Sequence, residues 1–123
     1  MENEPKVAQV VDAPKEAFET VVEGMVMAAG PGGTAYYYLG DYSSGNYPYV
    51  IASKTGTPQT AAFPNSVYVC FAPAEDPQIA IAVVIEKGWH GYTGAPVAKN
   101  IFDAYFFSGS GSDTPQPMGQ LLP

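Results

Sequence analysis

The sequence predicts an α+β fold, an antiparallel β-sheet flanked by helices. Three short apolar runs follow one another at about 50–57, 66–72 and 78–86. The link between the last two, Pro73-Ala74-Glu75-Asp76-Pro77, is short enough for a hairpin, which makes those strands antiparallel. Segments of helical period lie before and after the strand runs.

The elements read in order as follows. The run Lys6-Val7-Ala8-Gln9-Val10-Val11 is a weak edge strand or a linker. Asp12 is placed to cap a helix over about 14–29, with Pro14 and Glu16 favourable in its first turn. Phe18, Val21, Val22, Met25 and Ala29 recur at helical spacing and form its apolar face. Gly30-Pro31-Gly32-Gly33 ends it.

Residues 34–49 hold six tyrosines among glycine, serine, asparagine and proline, a turn-rich segment whose tyrosines cover a core edge. In the second run Val67, Val69 and Phe71 alternate with Tyr68 and Cys70. The third, Ile79-Ala80-Ile81-Ala82-Val83-Val84-Ile85, is apolar throughout. Strands apolar on both sides predict a sheet buried on both faces, with helices on each. A last helix begins near Pro96, capped close to Thr93 or Gly94, with Val97, Ile101, Phe102 and Tyr105 on one face. From Ser108 onward the composition is that of a flexible tail.

Composition narrows the function. The chain has 123 residues, enough for one small domain, and a net charge of −7 with no arginine. Phosphate backbones are bound by clustered Lys and Arg, so no nucleic-acid partner is expected. Cys70 is the single cysteine, set in an apolar strand and read as a buried, inert thiol. The single histidine, His90, sits in a Gly-rich link without His, Cys or Asp neighbours and reads as a surface residue. Glu75 and Asp76 read as hairpin-turn residues rather than a catalytic pair. No metal site and no cofactor are expected.

The stretch around Lys54-Thr55-Gly56-Thr57 carries the chemistry. A strand ending in this tetrapeptide delivers a cation, two hydroxyls and a residue without a side chain to one place. Lys-Thr-Gly is one of three motifs of serine β-lactamases and penicillin-binding proteins. Taken alone it is only a tripeptide, compatible with a solvated turn. The Ser-x-x-Lys motif that would carry the nucleophile has no match, since no Ser is followed by Lys three places on.

With its neighbours the motif becomes specific. The chain resembles the C-terminal part of the transpeptidase domain of a class B penicillin-binding protein over residues 5–107. The resemblance rests on Val21-Val22-Glu23-Gly24-Met25, Gly33-Thr34-Ala35 and Ser53-Lys54-Thr55-Gly56-Thr57-Pro58-Gln59. Phe71-Ala72-Pro73-Ala74, the apolar strand 79–86 and Gly94-Ala95-Pro96-Val97-Ala98 then follow in order. Ser53 departs from it, where the family usually has Gly or Ala, and the span from Thr60 to Asn65 is short.

The resemblance implies a five-stranded antiparallel sheet between helices, of which this chain holds the last three strands, a preceding helix and a C-terminal helix. Residues 1–107 would be that domain part and 108–123 a tail. It implies a peptidoglycan D,D-transpeptidase that cross-links stem peptides ending in D-Ala-D-Ala through an acyl-serine and is inhibited by β-lactams. Lys54 would supply positive charge, Thr55 a hydroxyl to the substrate carboxylate, and Gly56 room for the substrate backbone. Thr57 would give its N–H to the oxyanion hole and its hydroxyl to the carboxylate. Ser-x-x-Lys and Ser-x-Asn would come from an upstream half of the domain, without which the chain is expected to be inactive. An anchor further upstream would hold the protein at the extracytoplasmic face of the bacterial membrane. The last strand would lack a partner, which invites self-association. A non-catalytic scaffold or β-lactam-recognition module that keeps the Lys-Thr-Gly strand is the alternative.

Overall fold

The computed structural model describes residues 7–40, 42 and 47–107. They form α1 (Lys15–Ala29), β1 (Ala52–Gly56), β2 (Ser66–Ala72), β3 (Ile79–Ile85) and α2 (Ala95–Phe107). Single 3-10 turns occur at Tyr36–Tyr38 and Gly91–Gly94. The strands make one antiparallel sheet in the order β1-β2-β3. The three expected apolar strands and both expected helices are present, with ends shifted by at most two residues. The composition-based tail lies outside the described residues.

Helix α1 starts one residue later than expected. Pro14, with φ −57° and ψ 142°, is its extended N-cap, and no side chain caps it. Asp12 therefore does not cap, because it lies two residues too early to reach the first free N–H groups. At the other end the Gly30 N–H donates to Val26 O at 2.9 Å and the helix stops.

The strand register sorts the sheet residues onto two faces, since cross-strand partners point the same way. Ser53, Cys70 and Ile81 share one face with Thr55, Tyr68 and Val83. Lys54, Val69 and Ala82 share the other with Gly56, Val67 and Val84. The first face is the core side. Tyr68, Cys70 and Ala72 are buried there together with Leu39, Ile51 and Tyr49. Burial pushes the Cys70 thiol up to about 12, in keeping with an inert thiol.

Helix α2 covers this face through Ala95, Ala98 and Phe102, all fully buried. The expected stripe is corrected at three positions. Val97, Ile101 and Tyr105 are 46%, 40% and 53% exposed. The reason is close approach: a Cβ on Gly94 would stand 2.9 Å from Tyr68 Cβ, so the helix begins hard against the sheet. The small Ala95 and Ala98 fit beneath it there, Phe102 enters the core further along, and Val97, Ile101 and Tyr105 turn outward.

Tyr42, Tyr47 and Tyr49 close the edge of this core, as expected, while Tyr37 is exposed. Tyr49 is buried, and the Tyr42 hydroxyl accepts the Ile51 N–H at 3.0 Å. Tyr47 donates to Asp103 Oδ1 at 2.9 Å, and Asp103 also pairs with Lys99 at 2.5 Å.

The second face corrects the expectation of a sheet buried on both sides. Val84 is 65% exposed, and Val69, Ala80 and Ala82 are exposed too. Helix α1 packs chiefly on β1 and buries Ala52. A shallow apolar depression of about 290 Å³ remains between Met25, Val69, Phe71, Ala80 and Ala82. The apolar face of α1 is likewise only partly used, with Phe18 and Val21 half or more exposed and Ala29 buried. One helix is too narrow to roof three strands. Among the described residues β3 pairs with β2 alone, and residues 7–11 are exposed and form no strand, so they do not complete the sheet.

Candidate active site

Strand β1 delivers the Lys-Thr-Gly tripeptide because its two halves differ. Ile51, Ala52 and Ser53 are fully buried and fix the strand between α1 and the core. The polar half then emerges, with Lys54 exposed and Thr55 and Gly56 partly so. Ser53, where the resembled family usually has Gly or Ala, buries its hydroxyl in this half without a hydrogen-bond partner among the described residues. On its side away from β2, β1 pairs with no strand among the described residues, so an extended peptide can be added there.

Lys54 rises on the open apolar face beside Val69. Its ammonium donates to the Thr55 carbonyl at 2.5 Å. Thr55 points to the opposite face, beside Tyr68, and its Oγ1 lies 3.4 Å from Thr34 Oγ1. At Gly56 a Cβ would meet Val67 Cβ at 3.5 Å, an ordinary contact. The chain's own packing therefore does not require glycine at 56. Gly91 differs, since a Cβ there would stand 2.6 Å from Gly56 N and O. Thr57 Oγ1 accepts the Gly91 N–H at 3.0 Å, so its hydroxyl is engaged with the link between β3 and α2.

That link is pinned from several sides. Ser66 Oγ donates to Gly91 O at 3.2 Å, and the Lys87 N–H donates to Asn65 Oδ1 at 3.0 Å. The Trp89 N–H donates to Pro64 O at 3.1 Å. These bonds hold Lys87 and Trp89 at positive φ, 56° and 67°, a region non-glycine residues seldom adopt. The link brings aromatic rings to the end of β1 that sequence reasoning did not place there. Tyr92 stacks on Tyr38 at 3.9 Å and 11°, and His90 stacks on Tyr92 at 5.0 Å. His90 is exposed, as expected of a loop residue.

Thr34 was also missed as a site neighbour, although Gly33-Thr34-Ala35 stands out in the sequence. An open groove of about 550 Å³ along Val26, Met27 and Pro31 ends at it. The reading that the chain lacks Ser-x-Asn is corrected. Ser-x-Asn does occur, at Ser44-Gly45-Asn46, only ten residues before Lys54 counted from Ser44. All three of its residues lie in 43–46, outside the described residues. Among the described residues, no three His, Cys, Asp or Glu side chains gather as a metal site.

The sequence model of the penicillin binding protein transpeptidase domain matches residues 2–106. The chain belongs to the penicillin-binding protein transpeptidase family. Peptidoglycan D,D-transpeptidase MrdA of Salmonella typhimurium is 31% identical over 128 residues, covering 89% of this chain and 19% of that protein. The crystal structure of Pseudomonas aeruginosa PBP2 in complex with WCK 5153 is 32% identical with a TM-score of 0.67. That alignment covers 94% of this chain and 25% of the solved one. Penicillin-binding protein A of M. tuberculosis, solved as a penicillin G acyl-enzyme complex, is 27% identical with a TM-score of 0.52. It covers 73% of this chain and 20% of that one.

The α+β architecture is thus that of penicillin-binding-protein transpeptidase domains, as the sequence predicts. The chain spans about a fifth of the length of the curated MrdA relative it matches. Among the described residues, no helix is long and apolar enough to cross a membrane.

Proposed function

We propose that this chain supplies the Lys-Thr-Gly strand of a peptidoglycan D,D-transpeptidase whose nucleophile lies in an upstream half of the same domain. The observation that carries the reading is Lys54, an exposed cation on an apolar sheet face left open. Lys54 thus faces a space that another part of the domain would fill. The relative named as a D,D-transpeptidase and the neighbour solved as a penicillin acyl-enzyme support it.

In this reading a serine Oγ attacks the carbonyl of the penultimate D-Ala of a stem peptide. The C–N bond breaks, the terminal D-Ala leaves with a proton on its amine, and an acyl-serine ester remains. An amine of a second stem then attacks the ester, forming the cross-link and restoring the serine hydroxyl. β-Lactams enter the same first step and stop at the ester.

Each matched residue answers one need of acyl transfer. Lys54 holds positive charge where the substrate carboxylate and nearby hydroxyls meet. Thr55 offers its O–H to that carboxylate. Gly56 lets the substrate backbone lie against β1 as an added strand. The Thr57 N–H serves the oxyanion, while its hydroxyl is held by Gly91. The protein would act at the extracytoplasmic face of the bacterial membrane, held by an upstream anchor.

Labelling by fluorescent penicillin tests this on the full-length product of the gene that carries this chain. Labelling of that product is expected, falling about 10²-fold or more in Lys54→Ala, the scale for losing one preorganised electrostatic contact. The chain alone should not label. An intact, folded full-length product that takes no label would sink the enzyme reading and leave a scaffold.

A further inference from the structure

We infer that Thr34 is a positioning residue for the substrate carboxylate, acting through Thr55; the inference rests on the transpeptidase reading above. The two hydroxyl oxygens stand 3.4 Å apart, from residues 21 positions apart in the chain. A hydroxyl carries one proton and two lone pairs. If Thr55 gives its proton to a carboxylate, the Thr34–Thr55 bond survives only with Thr34 as donor. The substrate-bound direction is therefore fixed: Thr34 O–H to Thr55 Oγ1, and Thr55 O–H to carboxylate. Such a chain polarises the terminal donor and aims it.

The backbone around Thr34 is built to hold that hydroxyl still. On one side Gly33 lies so close under α1 that a Cβ would stand 2.3 Å from Met27 O and Ala28 O. Its N–H donates to Gly30 O at 2.9 Å. On the other side Ala35 is fully buried and its N–H donates to Ala28 O at 3.0 Å. Thr34 itself is exposed between these two clamped neighbours. The clamped neighbours fix the backbone from which the Thr34 hydroxyl reaches Thr55.

The test measures penicillin acylation rates of the full-length gene product in five variants, with a thermal melt for each. Thr34→Val should lower acylation about five-fold, the scale of one neutral hydrogen bond. Thr34→Ser, which keeps the donor, should restore it. In a Thr55→Val background, Thr34→Val should add no further loss, because its route to the carboxylate is gone. A second five-fold loss in that background overturns the inference, as does a Thr34→Ser no better than Thr34→Val. So does a Thr34→Val that acylates like the parent. A parent protein that is never acylated fails the transpeptidase reading itself, and Lys54→Ala separates that failure from one confined to Thr34.

Discussion

Gly91 lies directly against the backbone of Gly56, so close that a Cβ on it would stand 2.6 Å from both Gly56 N and Gly56 O. The two glycines are glycine for different reasons. Gly91 is required by the fold, because the link between β3 and α2 must pass over β1. Gly56 is not, since its own Cβ would make only an ordinary 3.5 Å contact with Val67.

The contrast gives a paired prediction. Gly91→Ala should destabilise the domain by about 1–3 kcal/mol, as overpacked sites do. Gly56→Ala should leave the melting temperature nearly unchanged yet lower penicillin acylation by up to about 10²-fold, the effect of misplacing a substrate by roughly 1 Å. Thermal melts and acylation rates on the full-length product check both. A Gly56→Ala variant with parental acylation would mean that no backbone approaches there.

Alkaline pH should weaken the fold. Burial raises the Cys70 thiol from 9.0 to about 12. Burial is also the largest cause raising the phenols of Tyr68 and Tyr49 above their usual 10.0, with nearby Asp103 adding to it at Tyr49. These groups keep their protons in the folded state where the unfolded chain releases them. Folded pKa values above the unfolded ones mean that the contribution is full below about pH 9 and declines as pH rises toward 12. Melting temperatures of the folded domain should hold level from pH 7 to about 9 and fall beyond it. Cys70 should resist thiol reagents until the fold opens. A flat melting profile through pH 11 would contradict the burial of these groups.

The isolated chain should self-associate. Among the described residues β3 has an unpaired edge, and the face carrying Val69, Ala80, Ala82 and Val84 is exposed and apolar. Light scattering should show a mass that rises with concentration, and Val84→Lys, which puts a charge on that face, should reduce the rise. A mass of 13.0 kDa at every concentration would show that edge and face are self-sufficient.

Much of this molecule is legible in the chain itself. Alternation in Ser66–Ala72, the continuous apolar run of Ile79–Ile85 and the Pro-bounded link between them determine two antiparallel strands. These are local signals, set by side-chain period and by which residues tolerate a turn. The Lys-Thr-Gly-Thr segment is equally local, four adjacent residues whose chemistry needs no fold to be recognised.

What the tertiary structure decided depends on distance across the chain. Period alone cannot tell a covered face from an open one, because Val84 and Val83 are equally apolar while one faces solvent and the other the core. The inward stripe of α2 follows from how near Gly94 lets the helix come to Tyr68, a steric fact between strand and link. Thr34 meets Thr55, and Tyr38 meets Tyr92, only after the segments between them have folded back. Hydroxyls and rings carry no sequence mark of which partner they will find. Packing supplies that partner, by bringing the end of α1, the end of β1 and the approach to α2 to one corner of the sheet.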